Sequence, residues 1–249
     1  MKNVVVIPAR LESTRLPNKV LLDLGGKTII QLVYENCIKA KNIFSVFIAS
    51  DNDKIIKHCR SFTDNVIKTK KHKTGTDRIA EAVKIINCDN VINIQADEPF
   101  VDKELIEKLS IEFLDPTVNM VSAMHKINSY DELNNPNNVK VCVDYDKNAL
   151  LFSRCPIPFS RDKYQPDILL NNYYKHIGVY GYKKKFLLEL SNMRTSKLEK
   201  IEKLEQLRVL ENGYKIRMIE TTNITSGIDT IEDYKRAKKL ILKKQKNEQ

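Results

Sequence analysis

Over its first 113 residues the chain alternates short β-branched runs with stretches of helical periodicity, and that rhythm restricts the fold more than any other feature. Val4–Pro8, Ser45–Ser50, Asn65–Ile67 and Asn90–Gln95 are strand-like, apolar on both faces rather than on alternate residues. Between them, Ile29–Ala40 places Ile30, Val33, Tyr34, Cys37 and Ile38 at helical spacing, and Thr76–Ile86 does the same with Ile79, Ala80, Val83 and Ile86. A helix carrying Ile55, Ile56 and Cys59 can take its N-cap from Asp51 or Asn52. Val101–Phe113 reads as a further helix. Strands buried on both faces and separated by helices call for a largely parallel sheet covered on each side, an α/β fold of Rossmann-like form.

The rhythm changes after Pro116. Met120–His125, Val139–Asp144, Ala149–Ser153 and Tyr173–Tyr182 are strand-like with little helix between them, and Asp146-Lys147-Asn148 supplies a turn between the second and third. Helices are expected at Lys184–Ser191 and about Lys200–Glu211, the latter stopped by Gly213. Lys215–Glu220 is a last strand, and a basic helix runs on from Thr230. With 249 residues this predicts one domain with a β-rich segment at about 125–182.

Bulk properties remove several function classes. Apolar content of 42% and charged content of 30% are ordinary for a globular chain. No apolar run approaches the roughly 18 residues of a membrane span. Val4–Ile7 is too short for a signal-peptide core and is followed by Arg10, so it is expected to be a buried first strand of a cytoplasmic protein. The five scattered cysteines form no C-x-x-C and no zinc spacing, as expected for reduced, buried thiols. Of the net charge of +10, residues 235–249 carry +6, with seven basic residues against Glu248. A solvated helix face explains that tail, and because it has no aromatic beyond Tyr234, nucleic acid is not an expected partner.

The loop after the first strand reads Ala9-Arg10-Leu11-Glu12-Ser13-Thr14-Arg15-Leu16-Pro17-Asn18-Lys19. Ligands of open parallel sheets bind beyond the carboxyl ends of strands, where this loop begins. Arg10, Arg15 and Lys19 can converge on a polyphosphate, with Ser13 and Thr14 as further donors, although a solvated basic loop fits the charge spacing as well. The loop contains no glycine and is neither a P-loop nor a dinucleotide fingerprint. Asp97, closing the fourth strand, can hold Mg²⁺ beside phosphates or merely end its strand. Asp229 looks by spacing like a helix N-cap, and Thr74 or Thr76 can equally be a plain cap. His176, Tyr180 and Tyr182 share one strand at period two, so they point to one face. Glu205 can pair with Arg208.

Ile7–Arg10, Ser13–Pro17 and Lys19 resemble the opening of the 3-deoxy-manno-octulosonate cytidylyltransferases, the CMP-KDO synthetases. The resemblance continues through Thr74–Arg78, Asn93–Pro99, Pro136–Val143, Phe152–Pro158, His176–Tyr182, Leu198–Leu210 and Gly227–Asp233. It implies a nucleotidyltransferase fold and transfer of CMP from CTP to the eight-carbon acidic sugar KDO, releasing pyrophosphate, for lipopolysaccharide synthesis. It implies Asp97 and Asp229 as Mg²⁺ ligands, with two such ions suiting the chemistry, and Arg10 and Lys19 as catalytic cations. Ala9, Arg10, Arg15, Lys19, Thr74, Gly75, Thr76 and Arg78 would bind the nucleotide. Gln95, Arg154, His176, Tyr180, Tyr182, Glu205 and Gln206 would bind the sugar, Arg154 meeting its carboxylate. The family is commonly dimeric, which predicts a homodimer. An 8-amino analogue or another acidic sugar is the competing acceptor. Asp51-Asn52-Asp53 also fits the letters of a glycosyltransferase metal motif, although helix capping explains it equally. Asn18 and Ala96 stand where the family often has glycine, and Phe159 where it has a larger aromatic.

Overall fold

The computed structural model describes residues 1–12, 15–161, 170, 172–223 and 227–247. In chain order the elements are β1 (Asn3–Ala9), α1 (Ile29–Cys37), β2 (Ser45–Ser50), α2 (Asp53–Cys59), β3 (Val66–Lys68), α3 (Gly75–Val83), β4 (Asn90–Asn93) and α4 (Lys103–Ile111). There follow β5 (Met120–Lys126), α5 (Tyr130–Asn134), β6 (Lys140–Val143), β7 (Ala149–Ser153), β8 (Tyr174–Lys183), α6 (Lys184–Leu190), α7 (Lys197–Glu202), α8 (Leu207–Glu211), β9 (Arg217–Glu220) and α9 (Ile231–Asn247). They form two compact units, Met1–Ser110 with Thr225–Gln249, and Ile111–Ile224.

In the first unit β1 lies between β2 and β4, and β3 pairs with β2, all parallel. Val4 to Ile7 of β1, and Val91 and Ile92 of β4, have no exposure at all, the two-sided burial that their unbroken apolar character predicts. Asn52, not Asp51, caps α2, accepting from the amides of Lys54 and Ile55. Asp51 is thereby left for a different partner, described below.

The second unit is mixed: β5 pairs antiparallel with β8 and parallel with β9, and β6 pairs antiparallel with both β7 and β8. The single helix expected at about 200–211 is broken. Lys203 is left-handed (φ 56°), ending α7, and α8 begins only at Leu207. Leu204 within the break and Leu207 and Val209 after it are all buried, which keeps an apolar spacing running past Lys203. Helix α5, hidden in a polar stretch, and the 3₁₀ turn Lys19–Leu21 carry too little apolar periodicity to be seen in advance. Cys37, Cys59 and Cys88 are buried free thiols as expected, but Cys142 is partly exposed and Cys155 exposed.

Candidate active site

The basic loop leaves β1 and is pinned by Leu16, which is buried, before turning into the 3₁₀ helix. Asn18 is left-handed there (φ 55°). This explains why glycine suits the position, and why asparagine, the side chain most tolerant of that region after glycine, can replace it. Lys19 emerges from the turn buried, and its Nζ donates to Asp97 and, at 2.9 Å, to Asp229 Oδ1. Arg15 completes the cluster with a 3.2 Å ion pair to Asp229 Oδ2. Burial alone would lower the Lys19 pKa, yet the two carboxylates outweigh it and hold the group above its usual value.

Asp97 and Asp229 are 132 residues apart in the chain. The Ile228 amide donates to the Asp97 carbonyl at 2.9 Å, tying the returning chain to the end of β4. The capping role assigned to Asp229 by spacing belongs instead to Thr230: its Oγ1 accepts from the Asp233 amide, while the Asp233 carboxylate accepts from the amides of Asp229 and Thr230. Asp229 therefore keeps its carboxylate for the site. Arg10, Arg15, Lys19, Glu12, Asp97 and Asp229 line a cavity of about 310 Å³, three cations facing three carboxylates. Glu12, to which the loop's basic spacing gives no pointer, also pairs with Lys71 at 2.9 Å. Ser13 and Thr14 lie outside the described residues.

A second cavity of about 290 Å³ is lined by Ala9, Arg10, Lys73, Thr74, Gly75, Arg78 and Gln95, so Arg10 and Gln95 belong to both. Thr74 is the N-cap of α3, its side chain accepting from the Asp77 amide, and Thr76 is buried. What the turn offers this cavity is mainly its backbone. Arg78 is buried and its guanidinium is held by Asp51 (2.8 Å) and Thr69 Oγ1 (2.8 Å), so it braces the turn from behind. That use of Asp51 leaves no support for the glycosyltransferase motif.

The other expected residues lie in the second unit. Phe152, His176, Tyr180 and Tyr182 form a row of ring contacts with centroids 5.0, 5.4 and 6.1 Å apart, so the three β8 side chains do share a face. His176 is enclosed: its Nε2 meets Ser122 Oγ at 2.9 Å and its Nδ1 meets Gln206 Nε2 at 3.5 Å. Burial pushes its pKa down to about 3, so the ring is neutral. Tyr182 is likewise buried, whereas Tyr180 is half-buried and donates to Gln206 Oε1 at 3.4 Å. Glu205 is half-buried, and Arg208 forms a buried ion pair with Glu199 at 2.5 Å. The α7–α8 break separates 199 from 208 in a way helical spacing does not anticipate. Arg154 donates from Nε to the Glu202 carbonyl (2.8 Å) and from Nη1 to the Pro136 carbonyl (3.0 Å), while the Glu202 carboxylate accepts from its amide.

Among the described residues, no cluster of three or more His, Cys, Asp or Glu side chains is arranged for a metal. A pair such as Asp97 and Asp229 still fits Mg²⁺, which takes one or two carboxylates and completes its shell with phosphate oxygens and water. No helix among those residues is long and apolar enough to cross a membrane.

Residues 4–216 match the cytidylyltransferase family. The chain is 45% identical to 3-deoxy-manno-octulosonate cytidylyltransferase of Flavobacterium johnsoniae, over 97% of this chain and 99% of the relative. It is 44% identical to the protein of that name from Francisella tularensis, over 96% and 99% of the two chains. A solved structure of CMP:2-keto-3-deoxy-manno-octonic acid synthetase complexed with CTP superposes with a TM-score of 0.92 at 35% identity, covering 98% of this chain and all of that one. The 4-diphosphocytidyl-2C-methyl-D-erythritol synthase of Anaerococcus prevotii shares the fold at a TM-score of 0.64 and 15% identity, with 97% and 96% covered. A nucleotide-sized cleft with paired carboxylates, set in this fold and carried by relatives of nearly equal length, leaves one conclusion: the chain belongs to the cytidylyltransferase family, among the 3-deoxy-manno-octulosonate cytidylyltransferases.

Proposed function

We propose that this protein transfers CMP from CTP to 3-deoxy-D-manno-octulosonate, releasing pyrophosphate and supplying the activated sugar for lipopolysaccharide. The observation that carries the site assignment is the Lys19 ammonium held between Asp97 and Asp229. When a triphosphate draws Arg10, Arg15 and Lys19 onto its oxygens, the two carboxylates lose their counter-charge and require a cation in its place. Asp97 and Asp229 would hold Mg²⁺, which would supply that charge together with Lewis-acid stabilisation of the phosphates and a more acidic acceptor hydroxyl. Arg10, Arg15 and Lys19 hold the phosphates and stabilise charge accumulating on the departing pyrophosphate. Cytosine takes the second cavity, read by the backbone of the Thr74–Gly75 turn, with Arg78 holding that turn in place.

For the acceptor, Arg154 offers a planar fork to the sugar carboxylate. Gln95, Tyr180, Glu205 and Gln206 bond hydroxyls. His176, with both nitrogens engaged, orients Gln206, and Tyr182 supports Tyr180 from within the core. The acceptor oxygen forms its bond to the α-phosphorus as the bond to pyrophosphate breaks, and the hydroxyl proton leaves to solvent. The reaction is cytoplasmic, where CTP is made, and the enzyme is a homodimer. Exposed Leu150 and Leu151 on β7 support that assembly, for which light scattering should give twice the mass of one chain. The deciding test of function is a pyrophosphate-release assay. Release should need CTP, Mg²⁺ and KDO together, and release without the sugar, or none with all three, would sink the proposal.

A further inference from the structure

Lys140 is the least expected charge in the molecule. It lies on β6 with no exposure, yet among the described residues no carboxylate within hydrogen-bonding distance neutralises it. Its Nζ donates instead to three backbone carbonyls, those of Asn135 (3.1 Å), Asn138 (2.7 Å) and Arg154 (2.5 Å). An ammonium has three N–H donors, so this set uses all of them. Burial pulls its pKa below the ordinary lysine value. A methionine or leucine would fill the same volume without that cost, so the charge calls for an explanation beyond packing.

The three carbonyls belong to the two segments that hold Arg154. One is its own main chain. The other is the 135–138 turn, whose Pro136 carbonyl receives the Arg154 Nη1 donor. The third support, the Glu202 carbonyl on Nε, comes from the end of α7. Lys140 therefore clamps the base of the guanidinium and the wall against which it rests.

We infer that Lys140 is a positioning residue for the acceptor: through the Arg154 carbonyl and the 135–138 turn it fixes the Arg154 fork in the orientation that receives a sugar carboxylate. This rests on the assignment of Arg154 to that carboxylate, and the experiment separates the two claims. Steady-state kinetics are measured with CTP and KDO for wild type, Lys140→Met, Lys140→Gln, Arg154→Ala and the double variant Lys140→Met/Arg154→Ala, each with a melting curve. Lys140→Met is expected to raise the KM for KDO about tenfold or more, because small misplacements of an orienting group are costly. The KM for CTP should stay within about twofold, and Lys140→Gln, which keeps two donors, should recover part of the loss. In the double variant, Lys140→Met should add almost nothing to the effect of Arg154→Ala. An unchanged KDO KM in Lys140→Met beside a raised one in Arg154→Ala overturns the inference alone. So do an equal rise in both KM values, full additivity, or failure of both Lys140 variants to fold. An unchanged KDO KM in Arg154→Ala instead overturns the underlying assignment.

Discussion

At the residue scale, the site is built from side chains whose partners in the protein limit what they can do next. Lys19 shows this most directly, because the groups it bonds are those a metal would take. His176 shows it on β8. With Ser122 and Gln206 on its two nitrogens and Phe152 and Tyr180 against its ring, it is neutral and orients rather than titrates. Its stability effect has a definite sign. The unfolded imidazole protonates near pH 6.5 and the folded one only at about pH 3. Between those values the unfolded state holds more protons, so stability falls as pH is lowered through the window. Relative to His176→Gln, wild type should lose about 1.4 kcal/mol per unit in the steep part of that window. Urea titrations of both proteins at pH 7.5, 6.0 and 5.0 check it; parallel profiles would mean the ring is not held neutral by burial.

At the element scale, β8 is the strand that carries His176, Tyr180 and Tyr182, and its pairing with β5 shifts register between Ser122 and Ala123. Ser122 lies at that irregularity and bonds His176, so the bulge sits directly beside the row of rings. Gly181 follows in the same strand. A Cβ there would stand 2.6 Å from Val121 Cγ1 and 3.0 Å from a Phe113 ring carbon. Gly181→Ala must displace packed side chains, and overpacking of this kind costs about 1–3 kcal/mol. The expected outcome is a lower denaturation midpoint with an unchanged slope, read by chemical unfolding. A neutral result would mean that Phe113 swings aside freely. The Lys203 break belongs to this scale too: ending α7 there leaves the Glu202 carbonyl available to Arg154, which a continuous helix would have bonded internally.

At the scale of the whole molecule, the chain leaves the first unit after Ser110 and returns at Thr225, and the return brings Asp229 to Asp97. The ion pairs with Lys19 and Arg15 balance the carboxylates from within the protein. A chelator should therefore abolish turnover while moving the melting temperature by no more than about 1 °C, unlike a structural metal site whose loss unfolds its domain. Activity assays and thermal melts in EDTA, then in restored Mg²⁺, test both halves; a large drop in melting temperature would place the metal in the fold itself. The sequence by itself determined the parallel βα half, because strands buried on both faces and amphipathic helices announce themselves by composition and period. It also pointed to a cluster of basic residues after the first strand, because charge spacing within one loop is local information, while leaving a solvated loop equally open. Only the tertiary structure decided the partners: Asp51 on Arg78, Glu199 on Arg208, Thr230 rather than Asp229 as the cap, and Lys140 beneath Arg154. Those pairings join residues distant in the chain or interrupted by a helix break, and local periodicity carries no information about which distant charge a buried charge will meet.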